Sequence, residues 1–233
     1  MNDIYFYKPD DKIKYINECD LWIIARLVDV VNEKKEVKQW MEPFWLSTSD
    51  QKGIAIFVSR LDAEILVQYM QRNNERWKVY PLNNFDIKEM MVNCKKLTNN
   101  SRYNFIYSFG FWSDSEGNLI NKKYCLSQCL AVEGFTVDSR YEGDEDIVIR
   151  FSKETLNFIY SCWNNKISDS ADYRKYLESV NELDDAICKK EAILALENIN
   201  SAETNRDFNP DIATIWSMPE QKWIYSNLNN PIN

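Results

Sequence analysis

Histidine is absent from this sequence. The side chain that most often serves as general base and metal ligand near neutral pH is therefore missing, and with it the Ser-His-Asp and Cys-His arrangements. Lysine- and carboxylate-based chemistry survives that exclusion. Glycine is scarce, with 5 scattered residues and neither G-x-G-x-x-G nor G-x4-G-K-[ST], so a phosphate cradle of the Rossmann or P-loop kind is unsupported. Only 6 prolines accompany them, which speaks against long flexible linkers. No apolar run approaches the length of a membrane helix, and Met1 to Pro9 carries neither a basic n-region nor a long apolar h-region. A cytoplasmic location without membrane association is expected. No basic arm exists, and no Lys/Arg cluster is longer than a pair. With 36 acidic against 28 basic residues and a net charge of −8, the chain repels nucleic acid and favours a basic partner.

What the chain has in quantity is aromatic surface: 8 Trp, 13 Tyr and 11 Phe in 233 residues. Rings at that density supply a core, and any left outside favour a partner interface. The six cysteines, at 19, 94, 125, 129, 162 and 188, are expected as free thiols used as small hydrophobes. Cys125 and Cys129 form the one close pair. Their spacing fits neither a zinc site nor a C-x-x-C redox motif, so no metal and no cofactor is expected.

Along the chain, residues 21–31, 37–47 and 54–58 read as strands, the last two forming a hairpin across "TSDQKG". "FVSRLDAEILVQYM", residues 57–70, passes from strand to helix at Ser59-Arg60, with Leu61, Ile65, Leu66 and Tyr69 on one face. Such junctions carry chemistry in many α/β enzymes. Here no glycines flank Ser59 and nothing activates it, so Ser59-x-x-Asp62 reads as a variant capping box at a corner of the fold. A strand at 76–82 leads to "NNFDIKEMMVNCKK", a helix with Asn84 as the expected N-cap. Residues 102–112 form a strong strand, "SDSEGN" turns, and 119–132 is extended or short-helical. Residues 145–151 are a strand before a helix opened by Ser152. Residues 171–200 keep helical spacing as one long or two short helices, 201–209 is a loop, and the ring-bearing tail from Pro210 packs back. The expected fold is α+β, a mixed or antiparallel sheet flanked by helices with a helical C-terminal region. Residues 1–150 would form the sheet domain and 151–233 a helical region packed on it, or both a single domain.

The order strand, "SRLDAEILVQYM" helix, "WKVYPLNNFDIKEMM" strand and helix, then "FIYSFGFWSDSEGNLIN" hairpin resembles small bacterial α/β domains related to the SseB N-terminal region. The resemblance covers about residues 40–135 and carries no catalytic signature. It implies an immunity protein of a bacterial toxin system, a class whose members neutralise a toxin by binding it. The acidic balance and the missing catalytic motifs agree with that class. The expected function is thus a non-enzymatic cytoplasmic protein that occludes a cognate, basic toxin. The alternatives are a carboxylate-dependent hydrolase or transferase, and a secretion adaptor or chaperone. Partner-binding candidates are the acidic loops Glu142, Asp144, Glu145 and Asp146, and Glu182, Asp184 and Asp185. Trp112 is the leading aromatic anchor, with Trp163, Trp216 and Trp223 placed either as anchors or in the core.

Overall fold

The computed structural model describes residues 4–7, 15–31, 37–47, 51–71, 76–98, 102–136, 149–167, 172–204 and 212–227. The chain opens with strands β1 (Ile4–Tyr5), β2 (Tyr15–Ile16), β3 (Trp22–Val31), β4 (Val37–Pro43), β5 (Trp45–Ser47) and β6 (Lys52–Phe57). Helix α1 (Arg60–Gln71), strand β7 (Lys78–Pro81), a short 3-10 turn at Leu82–Asn84 and helix α2 (Ile87–Thr98) follow. Next come β8 (Arg102–Ser113), β9 (Leu119–Lys122), β10 (Cys125–Leu126), β11 (Gln128–Thr136) and β12 (Ile149–Arg150). The last part holds α3 (Lys153–Trp163), α4 (Tyr173–Asn181), α5 (Asp185–Glu197), β13 (Ser201–Glu203), β14 (Ile212–Ser217) and β15 (Lys222–Asn227).

Thirteen of these strands join one mixed sheet, whose main path runs β1-β4-β3-β6-β8-β14-β15. Its centre is the parallel pair β6–β8, with Ile54 opposite Phe105 and Phe57 opposite Ser108. Both strands are covered on two faces. Phe105, Ile106, Tyr107, Ser108, Phe109 and Phe111 are all buried in succession, as are Ile54 to Val58, which is why neither stretch shows polar alternation. Gly53 stands where the two backbones meet: a Cβ there would lie 2.3 Å from the Asn104 carbonyl oxygen. Helix α1 buries Leu61, Ile65, Leu66 and Met70, and α4 buries Tyr173, Tyr176, Leu177 and Val180 at helical spacing.

The expected α+β sheet flanked by helices, with a helical C-terminal region, does not describe this molecule. Strand makes up 45% and helix 33% of the described residues, and the C-terminal part is itself built into the sheet. There β13 pairs in parallel with β9, β14 joins β8, and β15 closes a hairpin with β14. Ala213 to Ser217 are buried in unbroken succession, so the alternation that marks a half-buried strand is missing from β14. Residues 201–203, expected as a loop, are β13 for the same want of a pattern: three residues are too few to show one.

Three further expectations change locally. Asn84 lies in the 3-10 turn, and Asp86 caps α2 instead, its carboxylate accepting from Glu89 N at 2.8 Å. The strand expected over 145–151 is described only as Ile149–Arg150, since 141–148 lie outside the described residues. The helical stretch 171–200 is two helices, divided because Asp184 accepts from Ile187 N at 2.8 Å and so begins α5 afresh. Ser152 does cap α3, accepting from Thr155 N at 3.3 Å. Among the described residues no helix is long and apolar enough to cross a membrane.

Candidate functional site, an acidic cleft

The Ser59 junction is the best place to begin, because it orients what lies around it. A helix start leaves backbone N–H groups without partners inside the helix. Here Asp62 N donates to Ser59 Oγ at 3.1 Å, and Ala63 N donates to the Ser59 carbonyl at 3.2 Å. Arg60 N is satisfied from far away, by Asn181 Oδ1 at 2.8 Å, while Asn181 Nδ2 donates to the Val58 carbonyl at 3.1 Å. The Arg60 guanidinium lies over the Trp22 ring, 4.8 Å from its centroid, and donates to the Leu183 carbonyl and to Asp185. One end of α4 is thereby bolted to the start of α1. Ser59 caps α1 at this corner, as its sequence suggests.

Beside that bolt lies a cleft of about 560 Å³, lined by β2, the segment 17–20, Asn83 and one face of α4. A volume of this size suits a small group or a side chain from a partner. Four carboxylates line it, Glu18, Asp20, Glu178 and Glu182, against a single guanidinium, Arg174. Positions 174, 178 and 182 share a face because α4 repeats every 3.6 residues. The opposite wall is held by Tyr15, whose hydroxyl accepts from Leu21 N at 3.3 Å and whose ring meets Phe151 edge-on at 5.9 Å. Asn17 Nδ2 donates to the Cys19 carbonyl at 3.1 Å, shaping the turn that presents Glu18 and Asp20.

The charges are not equivalent. Glu18 is neutralised: Lys153 Nζ lies 2.6 Å from one oxygen and Arg174 Nη2 3.7 Å from the other. The hydrogen bond from Lys153 holds its carboxyl below the usual range. Arg174 is further occupied by the Tyr160 ring, 5.0 Å away. No lysine or arginine among the described residues ion-pairs with Asp20, Glu178 or Glu182. Burial pushes the Cys19 thiol up to about 11 and the Tyr15 hydroxyl up to about 12, so both stay neutral at physiological pH. Among the described residues no group of three or more Cys, Asp or Glu side chains is placed to hold a metal ion.

The sequence-derived candidates separate. Glu182 lines the cleft and is exposed. Asp184 is engaged as the cap of α5, and Asp185 in the pair with Arg60. Glu142, Asp144, Glu145 and Asp146 lie outside the described residues. Trp112 is half-buried on β8 and is not part of the cleft lining. Trp163, Trp216 and Trp223 are core residues, their indole N–H groups bonded to the Phe109 carbonyl at 2.9 Å, Glu191 at 3.4 Å and the Ala195 carbonyl at 3.0 Å. Glu18, Asp20, Arg174 and Glu178 were not singled out from the sequence. The i, i+4, i+8 spacing of Arg174, Glu178 and Glu182 was the signal available for one wall. Compared with protein-family models, curated proteins and solved structures, the chain has no match.

Proposed function

We propose that this protein is a non-enzymatic, cytoplasmic inhibitor of the immunity type, and that it takes a basic segment of a cognate toxin into the acidic cleft. The observation that supports this most directly is the set of three carboxylates, Asp20, Glu178 and Glu182, around a cleft of about 560 Å³, none of them ion-paired with a lysine or arginine among the described residues. A lysine or arginine side chain entering there gains charge-assisted hydrogen bonds to the acids. The net charge of −8 adds long-range attraction for a basic partner. The resemblance of residues 40–135 to domains of the SseB N-terminal kind points to the same class.

The enzyme alternative calls for two buried carboxylates facing each other across a pocket, whereas the acids that meet across this cleft, Glu18, Asp20, Glu178 and Glu182, are exposed. Asp62, a buried carboxyl group at 2% exposure, is not among the cleft residues, so the enzyme alternative gains no support from it. The test is reconstitution with a basic toxin domain from the same host, measured as binding and as protection of toxin-expressing cells. Reversing Asp20, Glu178 and Glu182 together to lysine should lower the association rate about tenfold to a hundredfold at low salt and abolish protection. Unchanged binding by the reversed variant would sink the cleft, and turnover of a small substrate by the protein alone would sink the inhibitor.

A further inference from the structure

Asp62 occupies the third position of α1, where its backbone N–H is capped by Ser59, and it is 2% exposed. Its Oδ2 has no hydrogen-bond partner. Four titratable groups on three elements interact with it electrostatically: Tyr173 and Tyr176 on α4, Cys188 on α5 and Cys129 on β11. All four are neutral, because burial raises each of them. The charged groups of this region, Arg60, Glu64, Asp185 and Lys189, interact on the outer side of α1, around Glu64. Neither lysine nor arginine acts on Asp62; burial and the Ser59 hydroxyl set its proton affinity. The positive end of the α1 dipole favours ionisation but is outweighed by burial, and the carboxyl is pushed up to about 7.

Helix α4 packs against α1, forms one wall of the acidic cleft, and is anchored to the start of α1 by Asn181 at its C-terminal end. We propose that Asp62 is a protonation switch for α4: with the proton bound, α4 stays seated on α1, and with the proton lost, α4 lifts locally and the cleft wall goes with it. The effect on partner binding rests on the function proposed above, whereas the movement of α4 does not. The direction follows from linkage. The closed state holds the proton more tightly than an open, hydrated state, so opening becomes easier as pH rises from the ordinary aspartate range towards about 7, and levels off above that.

Hydrogen exchange of the full chain, followed at the amides of Tyr173–Asn181 with and without 1 M urea, tests this directly. Once the ordinary base-catalysed change is removed, α4 exchange should rise about tenfold between pH 6 and pH 8, be insensitive to urea, and lose its pH dependence in Asp62→Asn. Urea-sensitive exchange would mean that α4 opens only when the whole chain unfolds, which overturns the switch. An equal rise in wild type and Asp62→Asn overturns the assignment to Asp62. Should the variant fail to fold, carbon-13 titration of the wild-type carboxyl groups decides. A buried aspartate titrating near neutrality in step with α4 exchange supports the proposal, and ordinary titration of every aspartate refutes it.

Discussion

Asn181 offers the sharpest test of how the α1–α4 corner is held. It is 8% exposed, and its carboxamide satisfies two backbone groups: Arg60 N at 2.8 Å and the Val58 carbonyl at 3.1 Å. Truncation to alanine orphans both. A buried polar group left unsatisfied costs roughly 1–3 kcal/mol, and some water will reach the Arg60 side, so a loss of about 3 kcal/mol is expected. With a urea m-value of about 3 kcal/mol/M for a chain of this size, the unfolding midpoint should fall by about 1 M. The eight tryptophans make intrinsic fluorescence a convenient signal. Asn181→Asp refines the result. Ionised, it keeps the acceptor for Arg60 N but places a charge against the Val58 carbonyl. Protonated, it regains a donor, so its deficit should shrink towards acid pH. Ser179→Ala is the control, since its hydroxyl donates only within the helix, to the Tyr176 carbonyl at 2.7 Å. If Asn181→Ala lay within about 0.5 kcal/mol of that control, the bolt between the corner and α4 would carry none of the stability assigned to it.

Two other substitutions test the centre of the sheet. Gly53→Ala would push a Cβ to 2.3 Å from the Asn104 carbonyl oxygen, and since that atom is backbone, β6 and β8 must separate. A loss of about 2 kcal/mol by urea titration is expected, and a neutral result would mean that the strands approach less closely than described. Trp163→Phe removes the indole donor to the Phe109 carbonyl beneath Gly110, whose φ of +122° places Trp163 Cζ2 3.0 Å from where a Cβ would stand. The lost bond and residual cavity should cost about 3 kcal/mol by the same assay, and wild-type stability would show that the site collapses freely.

What could be read from the chain follows a simple division by distance. Ser59 capping α1 and Ser152 capping α3 need only residues within three positions, as Asp62 N at 3.1 Å and Thr155 N at 3.3 Å show. Local rules therefore reached them. The apolar faces of α1 and α4 and the aromatic run of β8 were legible for the same reason: helical spacing and strand composition are properties of a short window. Even the error at Asn84 was local, two residues from the true cap at Asp86.

The partners that come from elsewhere in the chain were not legible. Nothing near Arg60 announces that its N–H waits for Asn181, 121 residues on, or that its guanidinium pairs with Asp185. Buried on all sides, β14 lost the alternation that would have identified it, and its pairing with β8 and β15 reveals the strand. The acidic cleft divides in the same way. Composition determined that the chain would be acidic. Tertiary structure decided which acids meet: Glu18 and Asp20 from the segment after β2 are set against Glu178 and Glu182 at the C-terminal end of α4, and among the described residues only Glu18 of these is neutralised, by Lys153 and Arg174. Charge is a property of residues and can be counted along a chain. An unpaired charge is a property of neighbours, and neighbours exist only once the chain has folded.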